Sequence, residues 1–232
     1  MHVPNGFLDV PTSVATAAVA VGGVALALRG ARRELDDRTA PMAGLVAAFV
    51  FAGQMVNFPV GAGTSGHLLG GALAAVLVGP WTAVLSVTVV LLVQTLLMAD
   101  GGLTALGANI SLMALVAVGT GWLVFRAAQA VLPRRVSMVA PAAAVGAFVS
   151  VPVAAGAFAL LFAVGGTAPI STSALLTAMV SWHLLIGLGE AAITGLVVGS
   201  VVAVRPDLVR GAAPALAARA LVIRSGPDGA VA

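Results

Sequence analysis

Met1-His2, the dipeptide that opens the chain, puts three nitrogen donors in line: the free α-amine of Met1, the backbone nitrogen of His2 and the Nδ1 of its imidazole. Amine and amide nitrogen close a five-membered chelate ring on a metal, and amide nitrogen with Nδ1 closes a six-membered one. Three near-coplanar nitrogens suit Ni(II), Cu(II) and planar Co(II) better than Zn, Mg or Ca. The fourth corner must come from elsewhere, and the remaining histidines, His67 and His183, are its natural donors. The plain alternative is that His2 is a frayed terminal residue, as residues at chain ends usually are. His2 is large, so Met1 is expected to escape aminopeptidase removal. No Lys or Arg precedes the first apolar run, so Met1 does not read as the start of a signal peptide.

The elements that must position these groups are membrane helices. The chain is 60% hydrophobic and only 8% charged, with a mean hydropathy of +1.12, against roughly 25% charged residues in a soluble domain. That composition marks an all-α integral membrane protein in a lipid bilayer. A pI near 11.3 is then no argument for nucleic acid, because membrane proteins carry basic loops for topological reasons. The absence of cysteine leaves neither disulfides nor thiolate sites. The apolar runs read as seven helical segments, at about 12–28, 41–58, 67–78, 80–98, 104–132, 136–164 and 171–204. A spanning helix needs about 20 apolar residues, so the third segment is too short to cross alone. A flexible, uncharged loop, Pro59–Gly66, precedes it, and His67 is expected to open it. The positive end of that helix dipole would keep the His67 ring neutral. Residues 1–204 form the transmembrane unit. Residues 205–232, rich in Pro and Ala, read as a weakly ordered cytoplasmic tail.

Charge gives the orientation. All eleven basic residues are arginines, and they fall in or beside the 1–2 loop, the 5–6 loop and the tail. One orientation of seven segments places all of them in the cytoplasm, as the positive-inside rule asks. The amino terminus and the His67 loop then share the outer side of the cell membrane, and His2 meets His67 if the first residues fold back into the bundle.

Gln54, Asn57, Ser65, Gln94, Asn109 and Ser111 are polar residues in the same outer half. Each can simply bond between helices, at about 0.6 kcal/mol. Asn57, Ser65, Gln94 and Asn109 are also placed to steady ligand imidazoles, which usually donate their other N–H to a partner. His183 and Glu190 lie seven residues apart, on one helix face. A carboxylate inside a membrane helix is costly and usually functional or paired. For both, a structural or coupling role is favoured over ligation.

Met1-His2-Val3-Pro4-Asn5-Gly6-Phe7-Leu8 resembles the Met-His-Ile-Pro-Asp-Gly-Phe-Leu start of the CbiM/NikM family, and Thr64-Ser65-Gly66-His67 resembles its histidine loop. Gly79-Pro80-Trp81, Asp100-Gly101-Gly102-Leu103-Thr104-Ala105-Leu106-Gly107-Ala108-Asn109 and Gly189-Glu190-Ala191 are similar to it in order and spacing. The likeness covers residues 1–204 and departs mildly, with Val3 for Ile and Asn5 for Asp. It implies a substrate-capture (S) component of an energy-coupling-factor importer for nickel or cobalt, with the amino terminus tucked into the bundle. It further implies metal held by Met1, His2 and His67, and partners in a transmembrane T component and cytoplasmic ATPase subunits. A small accessory membrane subunit is also allowed. The Thr-Ser-Gly-His form leans toward the nickel branch.

Two other classes compete. A metalloenzyme built on His67, His183 and Glu190 needs an open coordination position and a base, and no His-Glu-x-x-His pattern occurs. A self-sufficient channel or secondary transporter calls for inverted repeats with paired broken helices, and only one short segment is present. No Gly-x-x-x-x-Gly-Lys-[Ser/Thr] loop occurs, so the chain is read as a transport component without its own ATPase.

Overall fold

In the computed structural model, which describes residues 1–61 and 64–220, seven apolar helices follow one another. They are α1 (Val10–Ala31), α2 (Thr39–Met55), α3 (Gly71–Val78), α4 (Pro80–Leu97), α5 (Leu106–Val131), α6 (Val136–Gly165) and α7 (Thr172–Val204). Five of them, α1 and α4 to α7, are long and apolar enough to cross a membrane, while α2 is a shorter apolar helix. The chain is an all-α, multi-pass membrane protein. Local chemistry sets several helix starts: the Asp9 carboxylate accepts the Thr12 N–H at 2.8 Å and caps α1. Ser171 caps α7 through the Ala174 N–H, and Pro80 occupies the first position of α4.

The short helix α3 does not need to span. All eight of its residues are buried, so protein rather than lipid surrounds it, a setting in which broken backbone is tolerated at membrane depth. Small residues permit that enclosure. A Cβ added at Gly121 of α5 would come within 2.6 Å of the Ala72 Cβ in α3, so the two helices touch through glycine and alanine.

Three features depart from the sequence reading. The segment expected to be a flexible loop pairs as an antiparallel hairpin, β1 (Phe58–Gly61) with β2 (Thr64–Gly66). His67 does not open α3. The helix begins at Gly71 after a left-handed Gly70 (φ 74°), so His67 lies on the extended approach, and burial rather than a helix dipole keeps its ring neutral. The stretch after Val204, expected to be weakly ordered, forms two 3-10 turns and a helix, α8 (Ala213–Ala220). Buried Val209 and Ala212 pin it to the bundle, and Gln129 donates to the Gly211 carbonyl. Residues 221–232 lie outside the described residues.

The bundle has two chemically distinct ends. At one, Arg210 reaches the backbone carbonyls of Arg33 and Glu34, and Arg38 lies 3.7 Å from Asp207. At the other, the amino-terminal segment is tied down. Gly102 N–H donates to Val3 O at 2.8 Å, Asp9 N–H to Gly165 O at 2.7 Å, and Thr167 N–H to Phe7 O at 3.1 Å. Phe7 packs on Phe158 and Phe162 of α6. Met1, His2, Val3, Phe7 and Leu8 are buried while Pro4, Asn5 and Gly6 are exposed. Burying an aliphatic or aromatic side chain is worth about 1.5–3 kcal/mol, so these apolar anchors offset the cost of taking a polar terminus out of water.

Candidate metal centre

The buried terminus brings Met1 and His2 against the approach to α3. The His2 and His67 rings stack, with centroids 4.6 Å apart and planes 30° from parallel. Neutral rings stack in this way, whereas two imidazolium ions would repel. Burial first of all pushes the Met1 α-amine from 8.0 to about 4. Burial, then the nearby amine, lowers His2. The same two causes, then His2 and His183, hold His67 well below the usual histidine range. At pH 7 the amine and these two imidazoles are therefore neutral donors with lone pairs available.

Their hydrogen bonds decide where those lone pairs point. His2 Nε2 lies 3.1 Å from Gln94 Oε1, which as an acceptor puts the ring hydrogen on Nε2 and leaves the lone pair on Nδ1. His67 Nδ1 donates to Leu68 O at 2.7 Å, freeing Nε2. His183 Nδ1 donates to Met179 O at 2.7 Å, again freeing Nε2. Buried polar atoms are rarely left unpaired, yet His2 Nδ1, His67 Nε2 and His183 Nε2 all lack a hydrogen-bond partner. No cluster of three His, Cys, Asp or Glu side chains suited to a metal occurs among the described residues.

The supporting residues separate into three groups. Gln94 touches the His2 ring directly, and Asn109 clamps the next residue, accepting the Val3 N–H at 2.7 Å and donating to Val3 O at 3.2 Å. Asn109 immediately precedes a π-helical stretch, Ile110–Val116, an irregularity frequent at functional sites. Asn57 and Ser65 instead line an open cavity of about 400 Å³ with His2 and Asp100, and Asn57 lies 3.5 Å from Asp100. Glu190 accepts the Leu69 and Gly70 N–H groups at 2.7 and 2.8 Å, fastening the His67 approach to α7. Gln54, named in sequence only as a helix-bonding residue, donates to Leu69 O at 2.9 Å and holds the same peptide from α2.

Other supporting roles were not legible in the chain. Asp100, whose Oδ1 lies 3.3 Å from His2 Nδ1, stands out only as part of an Asp-Gly-Gly run. Asn5 accepts from the Thr104 N–H and hydroxyl, both at 3.0 Å, a task an aspartate would perform equally.

Glu190→Gln is expected to place an NH2 opposite one of two backbone N–H donors. Leaving a buried donor unsatisfied costs about 1–3 kcal/mol. Thermal unfolding of the purified variant should show that loss, with metal still bound. Abolished binding at unchanged stability would instead make Glu190 part of the site.

Residues 2–208 match the family model described as the cobalt uptake substrate-specific transmembrane region, CbiM. The chain belongs to the CbiM family. It is 38% identical over 228 residues to a putative fused nickel transport protein NikMN of Archaeoglobus fulgidus, covering 96% of this chain and 72% of that one. A cobalt transport protein CbiM of Sorangium cellulosum is 43% identical over 132 residues, 56% of this chain and 59% of that one. The crystal structure of a truncated transition metal transporter superposes with a TM-score of 0.81 at 32% identity, covering 88% of this chain and 99% of that one. In this CbiM-family chain the buried amino terminus and the His67 approach occupy the same end of the bundle.

Proposed function

We propose that the chain is the substrate-capture component of an importer for nickel or cobalt, and that it holds the ion in a square of four nitrogens. The Met1 amine, the deprotonated His2 amide and His2 Nδ1 form three corners, and His67 Nε2 forms the fourth. The observation that carries this reading is the pair of buried, unpartnered imidazole nitrogens, His2 Nδ1 and His67 Nε2, beside an enclosed amine. Relatives named for nickel and for cobalt transport support the choice of cargo, and a planar nitrogen field suits both ions. Closing the square takes a small movement, because the stacked His67 ring must turn its Nε2 into the His2 chelate plane.

The arginine-bearing end faces the cytoplasm and the amino terminus faces outward, where the ion arrives. With no nucleotide-binding loop in the sequence, energy is supplied by partners, a transmembrane T component and ATPase subunits in the energy-coupling-factor arrangement, with a small accessory membrane subunit as a further candidate. Asn57 and Ser65 border the entrance, Gln94 and Asn109 hold the ligand strand, and Glu190 steadies the His67 approach. His183 Nε2, also unpartnered, favours a second reading in which it meets the ion from α7.

Calorimetric titration with Ni(II) and Co(II), followed in parallel by the square-planar absorption band, tests the assignment. Because the amine and both rings are already neutral, each ion bound at pH 7 should release one proton, from the His2 amide. Affinity should therefore rise about tenfold per pH unit through neutrality. In His67→Ala the fold should persist while affinity drops at least about tenfold, in line with loss of one ligand worth more than 1.4 kcal/mol. Near-native affinity in that variant would transfer the fourth corner to His183 or water.

A further inference from the structure

Asp100 stands where the buried donor set meets the open cavity. Its side chain is 20% exposed while that of His2 is 3% exposed, so the carboxylate bridges the open cavity and the enclosed ring. Its Oδ1 lies 3.3 Å from His2 Nδ1, but the contact lacks hydrogen-bond geometry and Nδ1 remains without a partner. Gln94 Oε1 already takes the ring hydrogen at Nε2. A lone pair and a carboxylate oxygen therefore lie side by side with no hydrogen between them, an arrangement that repels unless a cation joins them.

The spacing fits such a cation. Donors 3.3 Å apart subtend about 100° at an ion about 2.1 Å from each, between the octahedral and tetrahedral angles for neighbouring ligands. The backbone is bent to present the carboxylate there. Ala99 is the one non-glycine residue with positive φ among the described residues (53°), and Gly101 is left-handed as well (φ 87°). Non-glycine residues persist in this region when the surrounding structure over-determines them, often at functional sites. Asp100 N–H is held to Gln94 O at 3.0 Å, so the residue that orients His2 also anchors the turn.

We propose that Asp100 Oδ1 and His2 Nδ1 form a docking point for the incoming hydrated divalent cation, from which the ion passes into the nitrogen square. This rests on the capture role proposed above. The ion exchanges two of its waters for Oδ1 and Nδ1, then keeps Nδ1 and gives up Oδ1 as the amine, amide and His67 nitrogens close around it. Asp100 thus governs how fast the ion is captured and is absent from the final ligand set. Asn57, 3.5 Å from the other carboxylate oxygen, lines the same entrance.

The test is stopped-flow association of Ni(II) with the purified full chain at several ionic strengths, read by growth of the square-planar band. Asp100→Asn should slow association about tenfold or more, within the range by which a charged cleft accelerates encounter. It should flatten the salt dependence and leave the final spectrum unchanged. Asn57→Asp, which adds a second carboxylate at an exposed position of the entrance, should speed association and steepen its salt dependence, so the proposal stays open to refutation if Asp100→Asn does not fold. Association in both variants within twofold of the parent, with the same salt dependence, would overturn the docking point. An altered final band in Asp100→Asn would overturn its transit character and make Asp100 a permanent ligand. Absence of the planar band in the unaltered chain would refute the nitrogen square itself, a separate failure.

Discussion

One alanine added before Met1 is expected to reduce metal uptake to background and to abolish the native absorption band, although every side chain is kept. The added residue turns the α-amine into an amide and moves the new amine one residue away. Met1 is 1% exposed, so the extra residue has no room beside His2 and His67. An Ala-Met-His terminus can chelate by itself through its amine, two amides and imidazole, but that set leaves no corner for His67. A tag after Ala232 should be harmless. Uptake assays and absorption spectra check both variants, with mass spectrometry confirming that the extension survives. Intact uptake with an unchanged band in the extended protein would defeat the terminal chelate.

Gly102→Ala should have the next largest effect, and it acts without touching a proposed ligand. A Cβ at this position would lie 2.3 Å from Asn5 N, 2.6 Å from Pro4 C and 2.8 Å from Asn5 Cα. All three are backbone atoms, so no side-chain rotation relieves the contact. The amino-terminal segment must back away, stretching the bond from Gly102 N–H to Val3 O and withdrawing Met1 and His2. Overpacking of this kind costs about 1–3 kcal/mol, which should appear as about a five- to 150-fold weaker Ni(II) affinity. Gly119→Ala is the control, because nothing lies within 4 Å of its added Cβ. Calorimetry on the two variants decides the matter, and equal affinities would mean that the terminus is not held by this contact.

The sequence by itself determined the helices, the asymmetry of the ends and the nitrogen-rich terminus. Apolar runs, proline at helix starts and arginine distribution are local or compositional properties, so they survive without coordinates. α4 begins at Pro80 and α7 spans Thr172–Val204, each within one residue of its expected limits. Where a local rule was stretched it failed: His67 stands directly before an apolar run, which suggested a helix start, yet Gly70 and Gly71 place the start four residues later. Composition does not reveal that Val209 and Ala212, in the part of the tail before residue 221, find a buried seat. Tertiary structure alone decided which polar groups meet. Gln94 reaches His2 across 92 residues, Asn109 reaches Val3 across 106, and Glu190 reaches Gly70 across 120. Helical periodicity tells which residues share a face of one helix, but not which faces converge. That convergence comes from close Gly and Ala packing around α3 and from folding the terminus inward, and it sets Asp100 against an imidazole whose lone pair has no other partner.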